Sequence, residues 1–96
     1  MRPSAALELR RNEVRALTER FRTANPRVFG SVLNGADRDG SDLDLLVDPL
    51  PGVTLFDLGG LQVGPEELLG VEVDLLTPGD FPISFRQQIL QDARPV

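Results

Sequence analysis

The chain has 96 residues, 41% of them apolar, with ten basic against fifteen acidic side chains and a net charge of −5. That length predicts one small domain over residues 1–96, and the acidic balance argues against direct nucleic-acid binding, which needs clustered cations. There is no Cys, His, Lys or Tyr, which excludes disulfides, thiolate chemistry, a Ser-His-Asp hydrolase, His-ligated zinc, a Lys Schiff base and the Lys-bearing P-loop.

The N-terminus, Met1-Arg2-Pro3-Ser4, lacks the apolar stretch of a secretory signal. No apolar run approaches the ~20 residues that span a bilayer, so no membrane partner and a cytoplasmic location are expected. Ser4 to about Arg22 reads as a helix. Ser4 is placed to cap it, and Leu7, Val14, Leu17 and Phe21 share one side at near-helical spacing. Its other faces carry offset charges, the pattern of a solvated surface. Asn25-Pro26 predicts a break and a turn.

Arg27-Val28-Phe29-Gly30 reads as a short strand, and Ser31 to about Asn34 as a helical turn ending near Gly35. Asp37-Arg38-Asp39-Gly40 is a polar loop. Ser41 to Val47 is the clearest strand, and Asp48-Pro49-Leu50-Pro51-Gly52 ends it. A further helix opens at Thr54, where Thr54-x-x-Asp57 has the form of a capping box. Gly59-Gly60 weakens that helix, and Gly64-Pro65 predicts a kink or break; Pro65 is equally suited to open a second short helix ending at Gly70. Val71 to Leu76 is another strand. Thr77-Pro78-Gly79-Asp80 is a turn with Asp80 placed to cap, and Phe81, Phe85 and Ile89 mark the apolar face of a last helix. Helices alternating with strands predict an α/β fold, a small mixed sheet packed with helices.

Three features bear on chemistry. Asp42 and Asp44 lie two apart in a strand, so both point to one face while Leu43, Leu45 and Val47 point to the core. Two like charges about 7 Å apart at Cα, two strand rises, repel when partly buried unless a cation bridges them. With no His or Lys in the chain, that cation would be a hard ion held by oxygens, Mg²⁺ or Mn²⁺, and any general base must be a carboxylate or water. Gly30-Ser31, at a strand end, lets backbone approach a ligand and turns N–H groups toward an anion. Asp74 sits at the centre of an apolar strand, where acids are uncommon. Singly, each has an ordinary explanation: a turn cap, a glycine turn, a sheet-edge acid.

Their order is more specific. Val28-Phe29-Gly30-Ser31, ten residues, Asp42-Leu43-Asp44-Leu45-Leu46-Val47, Leu55-Phe56-Asp57-Leu58, Glu66-Glu67-Leu68-Leu69-Gly70 and Val73-Asp74-Leu75-Leu76-Thr77 run in sequence, closed by Gln88-Ile89-Leu90. Over about Val28 to Pro95 the chain resembles the minimal nucleotidyltransferases of prokaryotes, within the superfamily that includes DNA polymerase β. The resemblance implies a nucleotidyltransferase fold and an antitoxin paired, as a hetero-oligomer, with a HEPN-domain ribonuclease toxin. It also implies transfer of AMP from ATP, with Mg²⁺, to a tyrosine hydroxyl of that toxin. Carried over by motif, Gly30 and Ser31, joined by Ser41, would contact the nucleotide. Asp42, Asp44 and Asp74 would hold metal and be catalytic, with Asp74 helping to activate the acceptor. Asn34 stands where the family usually has a basic residue, and Arg38 is the expected substitute. The chain contains no Tyr, so an acceptor tyrosine would come from the partner. Two rival readings stay open: an antitoxin that masks its toxin by binding alone, and a nucleotidyltransferase acting on a small molecule.

Overall fold

The computed structural model describes residues Met1–Val96. Helix α1 (Pro3–Arg20) leads into β1 (Thr23–Phe29), and β2 (Leu43–Pro49) follows after a long turn-rich loop. Helix α2 (Leu55–Leu69), β3 (Val73–Leu76), a 3₁₀ turn (Pro78–Asp80), α3 (Ile83–Asp92) and β4 (Arg94–Pro95) complete the chain. The strands form one mixed sheet in the order β3-β2-β1-β4. β1 runs antiparallel to β2 and β4, whereas β2 and β3 are parallel. The parallel pair needs a crossover, and α2 supplies it.

One sheet face is apolar. Val28, Leu43, Leu45, Val47 and Val73 meet Leu7 and Val14 of α1 and Leu61 of α2 in a single buried cluster. Burying each such Leu contributes about 1.5–3 kcal/mol. By strand alternation and the pairing of Phe29 with Asp44 and Arg27 with Leu46, the opposite face carries Arg27, Phe29, Asp44, Leu46 and Asp48. Phe81, just before α3, packs edge-on against Phe29 with ring centroids 5.5 Å apart. No helix is long and apolar enough to cross a membrane.

Several local expectations are corrected. α1 begins at Pro3, and Ser4 does not cap it. The Ser4 amide instead donates to the Asp37 carboxylate at 2.8 Å, so a loop residue far along the chain satisfies the helix end. β1 starts at Thr23 rather than Arg27. The register shifts between Ala24 and Arg27, a bulge that lets the strand continue past Pro26, which has no N–H to donate. The turn expected over Ser31–Asn34 is present, with the Asn34 amide donating to the Gly30 carbonyl, and it ends at Gly35 with φ +68°. β2 begins at Leu43, which leaves Asp42 just outside the strand.

α2 is one continuous helix despite Gly59-Gly60 and Gly64-Pro65. Tertiary packing overrides propensity here: a methyl group on Gly60 would overlap the Phe21 ring, and Leu17 of α1 lies against Gly64. The capping box is as expected, with Thr54 and Asp57 bonded reciprocally at 3.2 and 2.9 Å. β3 begins at Val73, two residues later than the sequence suggests. Asp80 closes the 3₁₀ turn by accepting from the Thr77 amide at 2.8 Å and does not cap α3, which begins after Pro82. β4 has no counterpart among the elements predicted from sequence.

Candidate active site

β2 and β3 are the two strands whose N-terminal ends carry acids. Their parallel register places Leu43 beside Val73 and Asp44 beside Asp74. Side chains at paired positions of a parallel ladder share a face, so Asp44 and Asp74 stand side by side at the ~4.8 Å strand spacing. The Leu43 amide donates to the Glu72 carbonyl at 2.8 Å, tying the start of one strand to the other. Asp42 precedes β2 and is exposed; Asp74 is exposed and Asp44 half-buried. The structure therefore sets Asp44 beside Asp74, with Asp42 near enough for its charge to act on Asp44.

None of the three is neutralised. The ion pairs join Met1 to Asp39, Arg2 to Asp37, Arg10 to Glu13, Arg11 to Glu8 and Arg27 to Asp48. Burial, then the charge of Asp74, then that of Asp42, pushes the Asp44 carboxyl above its ordinary range. The carboxylates are not gathered closely enough for three of them to form a ready-made cage around one ion. Their donors are all oxygens with uncompensated charge. This is the donor type that a hard cation takes when waters and substrate phosphates complete its shell.

Gly30 forms the adjoining wall. Its φ is +70°, and a methyl group there would overlap Oδ2 of Asp44. Only glycine satisfies both the left-handed backbone and the close approach of that carboxylate. The turn after Gly30 is held by the amides of Asn34, Gly35 and Ala36, which donate to the carbonyls of Gly30, Val32 and Ser31 at 3.3, 3.3 and 2.9 Å. The amides of Ser31, Val32 and Leu33 have no acceptor within the protein. Unpaired successive N–H groups of this kind suit an anion. Ser41 closes the preceding loop: its hydroxyl accepts from the Arg38 amide at 2.8 Å, and its own amide donates to the Arg38 carbonyl at 2.9 Å.

A cavity of about 350 Å³ opens under the turn, lined by Phe29, Gly30, Leu33, Asn34, Ile89, Asp92 and Arg94. A larger hollow of about 830 Å³ lies at the opposite end of β1 and β2, around Thr23, Asn25 and Asp48. Neither hollow is lined by Asp42, Asp44 or Asp74. Sequence reasoning missed two residues. Asp37, assigned to a polar loop, is fully buried beneath α1, where Arg2 donates to it at 3.0 Å. Arg94 joins the cavity through β4, and no local pattern announces a two-residue strand.

Residues 11–96 match the model of the nucleotidyltransferase domain family. A candidate protein adenylyltransferase of Methanocaldococcus jannaschii is 38% identical over 66 residues, covering 69% of this chain and 71% of that one. Protein adenylyltransferase MntA of Thermococcus cleftensis is 33% identical over 76 residues, covering 79% of this chain and 77% of its own. Among solved structures, a candidate minimal nucleotidyltransferase superposes with a TM-score of 0.87 at 41% identity, over 97% of this chain and 95% of that one. A chain from a toxin-antitoxin crystal structure with AMP-PNP has a TM-score of 0.71 at 20% identity, covering 88% of this chain and 69% of its own. At that identity the likeness concerns the fold alone.

Proposed function

The chain belongs to the nucleotidyltransferase domain family, and from that premise we propose that it transfers AMP from ATP to a tyrosine hydroxyl of a partner protein, a HEPN-domain ribonuclease toxin, and so serves as its antitoxin in the cytoplasm. The observation that carries this reading is the in-register placement of Asp44 and Asp74 against the Gly30 turn, with Asp42 beside them and no cation to offset any of the three. Relatives named as protein adenylyltransferases support a protein acceptor. A structural neighbour from a toxin-antitoxin complex with AMP-PNP has the same fold.

The free amides of Ser31, Val32 and Leu33 would hold the phosphate tail of the nucleotide, and Ser41 would border it. Asp42, Asp44 and Asp74 would hold Mg²⁺ or Mn²⁺, which when bound supplies charge neutralisation at the phosphates and acidifies the acceptor hydroxyl. The partner's tyrosine oxygen attacks the α-phosphorus. A new P–O bond forms, the bond from the α-phosphorus to the bridging oxygen breaks, and pyrophosphate leaves. The proton of the hydroxyl passes to Asp74, because the chain offers no His or Lys to receive it. Positioning and electrostatics account for most of the acceleration in such transfers.

The test is to incubate the protein with its neighbouring toxin, ATP and Mg²⁺ and to weigh both chains. The toxin is expected to gain one or more AMP masses and to stay inactive after this protein is removed. The double variant Asp42→Ala, Asp44→Ala should bind the toxin without changing its mass. A toxin of unchanged mass, neutralised equally by wild type and double variant, would establish masking by binding alone and overturn transfer.

A further inference from the structure

We propose that Gln62 and Glu66 of α2 are positioning residues of the candidate site: they hold both backbone polar groups of Val73 and so fix the register of β3 that sets Asp74 beside Asp44. The proposal rests on the nucleotidyltransferase reading and adds to it two side chains that belong neither to the acids nor to the glycine turn.

β3 is poorly equipped to hold its own place. It runs only from Val73 to Leu76 and lies at the end of the sheet order, so β2 is its one neighbouring strand. Its acid stands beside Asp44, and the two like charges repel. A slip of one residue would send Asp74 to the core face and Val73 away from it. The register therefore decides whether Asp74 and Asp44 meet at all.

α2 supplies the missing constraint. The Leu43 amide donates to the Glu72 carbonyl at 2.8 Å. Successive residues of a strand direct their backbone groups to opposite sides, so Val73 turns its amide and carbonyl to the open edge of the sheet. Both are taken up there by side chains. The Val73 amide donates to the Glu66 carboxylate at 2.9 Å, and the Gln62 side-chain amide donates to the Val73 carbonyl. Gln62 also donates to Glu66 at 3.3 Å, which closes the group on itself. The two side chains thus stand in for a further strand at a single residue, the one before Asp74. The charged acceptor makes the Glu66 bond stronger than a neutral one would be.

Helix continuity makes this clamp possible. Gln62 and Glu66 share a face of α2 only while the helix stays unbroken through Gly64-Pro65. Gly70, at φ +69°, then ends the helix and turns the chain back toward β3.

Mn²⁺ binding to the intact protein, with and without ATP, followed by electron paramagnetic resonance, tests the assignment. Asp74→Asn and Glu66→Ala are each expected to weaken Mn²⁺ about tenfold. In the Asp74→Asn background, Glu66→Ala should cost less than about twofold more, because the ligand it positions is already gone. Glu66→Gln keeps an acceptor for the Val73 amide and should bind within about twofold of wild type. Thr54→Ala removes the capping box at the far end of α2 and should leave affinity unchanged, which separates positioning from a general loss of stability. Unchanged affinity in Glu66→Ala, an equal loss in both backgrounds, or an equal loss in Thr54→Ala overturns the proposal and leaves the metal reading standing. If Glu66→Ala does not fold, Gln62→Leu removes the donor to the Val73 carbonyl and is read in the same way: a loss that vanishes in the Asp74→Asn background supports the clamp, and unchanged affinity overturns it. Undiminished affinity in Asp74→Asn, or a wild type that binds no Mn²⁺ under either condition, overturns the metal reading and this proposal together.

Discussion

Asp37 and Asp44 lie seven positions apart and differ in almost everything that decides what a carboxylate does. Asp37 is the more deeply buried, yet it is held below its ordinary range. Burial alone would raise it; the Ser4 amide first, and then Arg2, more than reverse that. Asp44 is only half-buried, but nothing donates to it and two acids crowd it, so it moves up. Burial depth therefore does not separate a structural acid from a reactive one. The supply of donors does: Asp37 is satisfied and stabilises the fold, while Asp44 is left with a charge that the folded chain does not offset.

The largest effect should come from removing the satisfied acid. Asp37→Ala strands the Ser4 amide and releases Arg2, and about 2–3 kcal/mol of stability is expected to be lost, a fall in Tm of about 10–20 °C for a chain of this size. Thermal unfolding measures it; a change of less than a degree would mean that this carboxylate does not hold the start of α1. Gly30→Ala comes next, at about 2 kcal/mol, because it combines left-handed strain with overlap on Asp44. In an Asp44→Ala background the overlap is gone, and the cost should fall to about 1 kcal/mol. A double-mutant cycle with no coupling would show that Asp44 does not abut Gly30.

The smallest change should have the opposite sign. In metal-free protein, Asp44→Asn is expected to raise stability at neutral pH by less than about 1 kcal/mol, since a half-exposed charge is partly screened. A raised folded-state pKa means that the folded chain prefers the proton. The penalty is present above that pKa and disappears as pH falls below the ordinary value of 3.8. The stabilisation by Asp44→Asn should fade over the same range. Asp37 runs the other way: its contribution is present above 3.8 and is lost only as pH falls through its lower folded-state value. Urea unfolding of Asp37→Asn and Asp44→Asn against wild type, from pH 3 to 8, should give difference curves of opposite sign that both shrink toward acid.

Much of the fold was legible in the chain because it rests on short-range rules. Alternation placed Leu43, Leu45 and Val47 in the core and Asp44 on the other face, and the capping box at Thr54 marked where α2 begins. The elements that misled were those in which a distant segment outweighs local preference. α2 runs through Gly59-Gly60 and Gly64-Pro65 because α1 packs closely against its glycines. Likewise β1 continues past Pro26 because a bulge restores pairing with β2.

The sequence by itself determined which chemistry is open: acids, arginines and backbone amides, with no His, Lys or Cys to offer another route. Its ordered motifs pointed to one family, and two of the acids they marked, Asp44 and Asp74, are paired across adjacent strands. What only the tertiary structure decided is how each charge is balanced. Asp37 lies beneath a helix that begins more than thirty residues earlier, and Asp74 reaches Asp44 through the parallel register of two strands. Those are long-range pairings, and a hydrogen bond or a repulsion between distant residues leaves no periodic trace along the chain.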